Sequence, residues 1–169
     1  MAGEAVLGVE LVTPEVALFA GEATAVITAT SEGDLTILAG HTAIVGDIVS
    51  SVVRIELPDG TTERFAVHGG FMQVATGTGA AAGLLDSSTD GDRTTRVTLL
   101  AGIAEHVASI DLARAQAARE VAQAHLASTA GREDDEDDRL SREQAEASLV
   151  RATLRIEAAA EAASGRVGA

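Results

Sequence analysis

The first hundred residues alternate short apolar runs with turn residues. Aliphatic segments recur at Val6–Val12, Ala23–Ala29, Leu35–Leu38, Ile48–Ile55, Arg64–Val67, Phe71–Val74 and Val97–Ala101, each four to eight residues long. That is strand length rather than helix length. The stretch LPDGTT sets Pro58, Asp59 and Gly60 between two such runs, a turn by composition. Many short strands at this spacing predict a sandwich or barrel. Residues 76–96 are polar and glycine-rich, with one apolar piece at Ala80–Leu85, and read as an extended hairpin.

After Gly102 the period lengthens. Ile110, Ala113, Ala117, Val121 and Ala124 are spaced by three or four and share one helical face. Ser109 or Asp111 would cap that helix. A polar stretch, AGREDDEDD, follows. Ser141 and Gln144 then fit a capping box, and Ala145, Leu149, Ala152, Ile156, Ala159 and Ala163 form a second stripe with a seven-residue repeat. Two amphipathic helices joined by a polar loop predict an antiparallel hairpin. Its stripes are rich in alanine, which buries little area, so the hairpin is expected to be weakly held. The expected architecture is an all-β sandwich over 1–103 followed by an αα-hairpin over 104–169, with an acidic loop at 131–139: α+β overall.

Composition removes several chemistries. The chain has no cysteine, which excludes disulfides and thiolate metal sites. It has no lysine either, since all 12 basic residues are arginine. A phosphate-binding P-loop and a Schiff-base lysine are therefore absent. Net charge is −14, which argues against nucleic acid as a partner. The charge is uneven. Residues 1–101 hold 13 acids and 4 arginines, and residues 102–169 hold 13 acids and 8 arginines. Six of the later acids fall in Glu133–Asp138, a run that reads as a solvated loop. No apolar run approaches the roughly 20 residues of a membrane helix. The N-terminus lacks the pattern of a signal peptide, so the chain is expected to stay where it is made.

No enzyme signature stands. Gly77, Gly79 and Gly83 miss the dinucleotide fingerprint by one residue. Asp86, Ser88, Asp90 and Gly91 imitate the start of a calcium loop, but Val97 stands where its bidentate glutamate belongs. The histidines His41, His68, His106 and His125 form no local metal pair. An enzyme using His41 or His68 with Asp47 has no supporting motif.

Five stretches occur in order: VTPEVALFAGEATAV at 12–26, EGDLTILAGHTAIVGDI at 32–48, VHGGFMQV at 67–74, VTLLAGIAE at 97–105 and IDLARAQAA at 110–118. Together they resemble the epsilon subunit of bacterial F-type ATP synthases over roughly residues 5–163. In that family they are the first hairpin, the glycine–histidine turn, the double-glycine strand, the last strand and the start of the first helix. Three departures stand out. Ala39 replaces a proline that usually precedes Gly-His, which is expected to loosen the turn. The 76–96 segment is longer than the family's compact hairpin. The acidic run between the helices is long.

The resemblance implies a non-catalytic rotor subunit in the central stalk of a proton-translocating ATP synthase, peripheral on the cytoplasmic face of the bacterial plasma membrane. It implies a sandwich that binds the gamma subunit and faces the ring of membrane c subunits through Glu32, Asp34 and His41. On this reading His41 is a turn and contact residue. The imidazole is equally suited to satisfying its own turn. The hairpin corresponds to the family's regulatory arm, which extends into the catalytic head and inhibits hydrolysis. Arg142, Arg151 and Arg155 are candidates for contact with the beta subunits, or are ordinary solvated arginines. No cofactor is required. Some members bind regulatory ATP on the folded hairpin through an I-D-x-x-R-A motif, present here as Ile110, Asp111, Arg114 and Ala115. Arg151, Arg155 and Glu105 match further contributors. Arginines meet phosphates by charge-assisted hydrogen bonds, but Asp111 would serve equally as a helix cap.

Overall fold

The computed structural model describes residues 5–77, 94–129 and 136–164. The chain divides into two units, Met1–His106 and Val107–Ala169. The first contains β1 (Leu7–Val12), β2 (Ala17–Ala23), β3 (Ala25–Thr30), β4 (Gly33–Leu38), β5 (Ile44–Glu56), β6 (Thr62–Gly77), β7 (Thr94–Ala101) and β8 (Ala104–His106). The second contains a 3₁₀ turn (Val107–Ser109), α1 (Leu112–Ser128) and α2 (Glu136–Ser164). The boundary falls after His106 rather than after residue 103, because Ala104–His106 pairs with Val67–Phe65 of β6.

Strands follow the order β2-β1-β7-β6-β5-β3-β4, with β8 on β6. β1 and β7 run parallel, and the other pairs are antiparallel. The long hairpin of β5 and β6 serves both layers of the sandwich. Its first part, Ile44–Ile48 against Gly70–Val74, sits beside β7. Its second part, near Arg54–Glu56 and Phe65–Val67, carries β3 and β8. Between the two the ladder skips Val49 and Gly69. Gly69 has φ +87°, which favours glycine. A Cβ on Gly70 would lie 2.2 Å from the Leu100 carbonyl oxygen. The double glycine therefore lets one strand bend and press against β7. That is why Arg64–Val67 and Phe71–Val74, read as separate strands, are one.

Both layers point aliphatics inward. Leu7, Val9, Leu11, Val26, Ile37, Val53, Ile55, Val67, Met72, Val74, Val97 and Leu99 are all fully buried. Each contributes about 1.5–3 kcal/mol of apolar transfer. Phe19 of β2 meets Phe65 of β6 edge to face, with ring centroids 6.4 Å apart. The aliphatic list missed β2 because this outer strand is mostly exposed and its sequence, ALFAGEA, alternates weakly.

In the helical unit α1 and α2 pack on each other. The hairpin prediction holds, but several details change. On α1 the buried positions are Ala115 and Ala122, while Ala113, Ala117, Val121 and Ala124 are exposed. At about 100° per residue this is nearly the opposite face. Alanines stand all round α1, so their period does not select a side. On α2 Ala145, Ala152 and Ala158 are buried. Leu149, Ile156 and Ala159 of the expected stripe are half-buried, and Ala163 is exposed. The helix starts at Glu136, so Ser141 and Gln144 lie inside it and form no capping box. Glu136, Asp137 and Asp138 fill its first turn instead of a loop, where carboxylates favour the positive end of the helix dipole. Residues 78–93 and 130–135, including Ala80–Leu85, the calcium-loop mimic and the rest of the acidic run, lie outside the described residues.

Candidate functional site

The Gly-His segment closes a tight turn. The His41 N–H donates to the Leu38 carbonyl at 3.0 Å, and Gly40 has φ +84°. This is a type II arrangement with Gly40 at the third position. The turn is hydrogen-bonded with Ala39 in place, because glycine supplies the conformation it requires. The Gly40 N–H donates to Thr95 Oγ1 at 2.7 Å. His41 Nδ1 donates to the Thr42 carbonyl at 2.8 Å. One ring nitrogen is thus committed to the turn.

Glu32 and Asp34 lie at the start of β4, and His41 lies just past its end. β4 ends the strand order, so the three residues mark a line along an edge rather than a cluster. At about 3.3 Å per residue its six residues span roughly 20 Å. Glu32 and Asp34 border a groove of about 400 Å³ with Ile44, Val45 and Asp47. Asp47 is held by Ser31, whose N–H and hydroxyl each donate to a different carboxylate oxygen at 3.0 Å. That carboxylate therefore braces the β3–β4 turn. The adjoining apolar ridge has no mark in the sequence pattern. Val45, Phe71 and Leu100 are 73%, 64% and 50% exposed. Phe71 stands opposite Leu100 and next to Asp47 across the ladders. Alternation in each strand puts these side chains outside the core.

In the helical unit Asp111 is the N-cap of α1, and its Oδ1 accepts from the Arg114 N–H at 3.0 Å. Ser109, the other capping candidate, belongs to the preceding 3₁₀ turn. A groove of about 600 Å³ runs between the helices. Arg114, Ala117, Val121, His125, Gln144 and Ser148 are among its walls. His125 Nε2 and Ser141 Oγ bridge the helices at 2.8 Å. Arg151 donates through Nη2 to Ser148 Oγ at 2.9 Å. Arg155 is half-buried on the same helix. Arg142 donates through Nε to Glu146 at 3.0 Å, an i,i+4 pair on an exposed face. Glu105 belongs to the sandwich, on β8, where its carboxylate is 3.9 Å from His68 Nε2. His106 Nε2 pairs with Glu63 at 2.5 Å. The polar wall residues His125, Ser141 and Ser148 were missed as a group. The only available signal was the spacing of Ser141, Gln144 and Ser148 by three and four.

No helix among the described residues is long and apolar enough to cross a membrane. The family description "ATP synthase, Delta/Epsilon chain, beta-sandwich domain" matches residues 6–78. The chain is 34% identical over 129 residues to the ATP synthase epsilon chain of Streptomyces griseus, covering 76% of this chain and 90% of that one. It is 36% identical over 124 residues to the ATP synthase epsilon chain of Desulforudis audaxviator, covering 73% and 77%. Its fold is similar to a chain in the cryo-EM structure of the Euglena gracilis mitochondrial ATP synthase. There the TM-score is 0.64 at 22% identity, over 94% of this chain and 81% of that one. With a sandwich, a helical hairpin and this degree of identity over most of its length, the chain belongs to the ATP synthase epsilon chain family.

Proposed function

We propose that the protein is a non-catalytic rotor subunit that joins a membrane c-ring to the catalytic head of a proton-translocating ATP synthase. On this reading it sits peripherally on the cytoplasmic face of the bacterial plasma membrane. The observation that carries the proposal is the identity to epsilon chains over 129 residues, 90% of the length of the Streptomyces griseus relative. The sandwich supplies surfaces that suit the role. The Val45–Phe71–Leu100 ridge offers the gamma subunit an apolar face, and Glu32, Asp34 and His41 line an edge suited to the polar loops of a c-ring. Stable association with gamma and no ATP turnover by the chain alone are the expected results. Failure to bind gamma would sink the reading.

The hairpin is the proposed inhibitory arm. Arg142, Arg151 and Arg155 supply positive charge on α2 for an acidic surface of the beta subunits. Complexes carrying R151A with R155A should hydrolyse ATP faster than the unchanged complex. Equal rates would remove these arginines from the inhibitory contact.

A second reading is favoured by the groove between the helices, which has the size of a small-ligand site. Arg114 at its wall and Arg151 nearby would meet phosphates, so that ATP holds the hairpin folded. Asp111 is engaged as a cap and Glu105 with His68, so the arginines carry this reading. Calorimetric titration of ATP into the full chain tests it, with saturable binding weakened in R114A. No heat at millimolar ATP would end it.

A further inference from the structure

The bond between Gly40 and Thr95 joins residues 55 positions apart. β4 and β7 are not neighbours in the sheet, since β6, β5 and β3 intervene in the strand order. In a type II turn the N–H of the third residue takes no part in the closing hydrogen bond. In this turn it is donated to a hydroxyl on another strand. Thr95 is 1% exposed, and a buried hydroxyl oxygen needs a partner. Its place is fixed on both sides: Thr95 pairs with Thr76 of β6, and Val97, two residues on, is wholly buried. The turn is therefore tied to β7 as well as to its own edge strand.

We propose that Thr95 is a positioning residue for the His41 contact. It latches the Gly40–His41 turn to β7, so that β7 as well as β4 sets the direction in which His41 faces the c-ring. This rests on the reading of His41 as a c-ring contact. Three features support it. The acceptor is buried while Gly40 itself is exposed. The donor belongs to a residue whose positive φ already fixes the peptide plane. His41 has one ring nitrogen bound to the Thr42 carbonyl, so the ring turns with the local backbone. Freeing the Gly40 N–H would let the whole turn, ring included, swing on its β4 attachment.

The test uses Thr95→Val, which keeps shape and strand preference but removes the hydroxyl, and Thr95→Ser, which restores it. Amide exchange of the full chain is read at Gly40 and, as a control, at Val97 and Leu99. The same variants are built into the whole ATP synthase in vesicles, and proton pumping per ATP hydrolysed is measured beside His41→Ala. In T95V the Gly40 amide should exchange about five- to tenfold faster, the scale of one lost hydrogen bond. Val97 and Leu99 should hold, pumping per ATP should fall, and T95S should recover both. Unchanged exchange at Gly40 in T95V would overturn the latch. Faster exchange with unchanged pumping, while H41A lowers pumping, would overturn its positioning role. If H41A leaves pumping unchanged, the contact reading itself fails and the proposal with it. If T95V proves unstable, Thr95→Ala, which also lacks the hydroxyl, takes its place under the same criteria.

Discussion

Asp111 stands where two roles meet, and substitution separates them. Its Oδ1 accepts from the Arg114 N–H at 3.0 Å, while its own carbonyl accepts from the Ala115 N–H at 2.9 Å. Alanine at 111 removes the first bond and leaves the second. Loss of such a cap costs about 1 kcal/mol, which shifts a folding equilibrium about fivefold. Asparagine keeps the acceptor and caps as well as aspartate. It gives up only the carboxylate charge at the helix N-terminus, worth about 0.3–1 kcal/mol. The hairpin is sensitive to changes of this size. Its buried apolar side chains on α1 and α2 are alanines, each gaining about 0.8 kcal/mol on the scale of one carbon group. Amide exchange in the full chain is the assay. In D111A the Arg114 amide should exchange several-fold faster, and more so than Ala115, while D111N should stay near the unchanged protein. Equal protection of Arg114 in D111A would refute the cap. Titration of ATP into the same variants then isolates the ligand role. If the arginines hold ATP, D111N should bind like the unchanged protein and R114A should not.

Three further outcomes follow from the geometry. Gly70→Ala would put a Cβ 2.2 Å from the Leu100 carbonyl oxygen. The strand must shift by about 1 Å at a typical overpacking cost of ~1–3 kcal/mol. Thermal melting should show it beside Gly8→Ala, whose Cβ meets nothing within 4 Å, and equal melting of the two would refute the clash. Asp59 accepts from the Thr61 hydroxyl at 2.6 Å and the Thr61 N–H at 2.9 Å. The hydroxyl first and the amide second hold its carboxyl below the ordinary 3.8. Because the folded value is depressed, its contribution is present above the unfolded value and is lost as pH falls through the folded one. Thr61→Val should raise the Asp59 midpoint in an NMR titration, and an unmoved midpoint would refute the assignment. Ala39 precedes the glycine at the position where a type II turn favours proline. Ala39→Pro should stabilise the sandwich by about 0.4–1 kcal/mol in denaturant unfolding by restricting the unfolded chain. Destabilisation would mean that the turn is of another type.

The sandwich was legible because its strands bury one face or both, and burial imposes the aliphatic runs seen along the chain. β1 alternates buried and half-buried positions without a break. β2 has one buried residue, Ala23, and left no such trace. Length was harder to read than existence. His68, Gly69 and Gly70 interrupt the apolar pattern, yet the strand passes through them because glycine permits the bend. The helices were legible by period but not by face. With alanine on every side of α1, the volume contrast that marks a core side is missing. Of the expected stripe, Ala117 and Val121 line the open groove, while the buried positions are Ala115 and Ala122.

The site divides along the same line. Asp111 as a cap, the Gly40 turn and the pairing of Arg142 with Glu146 are local, set within four residues, and spacing alone suggests them. Contacts made by the fold carry no such mark. Thr95 lies in TTR, a stretch with no motif, and only the crossing of the layers brings its hydroxyl to Gly40. Ser31 reaches Asp47 across a strand, and His125 reaches Ser141 across two helices. Each joins a turn or helix to a different element. Local chemistry thus identifies which residues can act, and the long-range bonds decide in which direction. For His41 that direction depends on a hydroxyl 54 residues further along the chain, which is why a methyl in its place at Thr95 tests the role of the histidine more sharply than changes to its immediate neighbours.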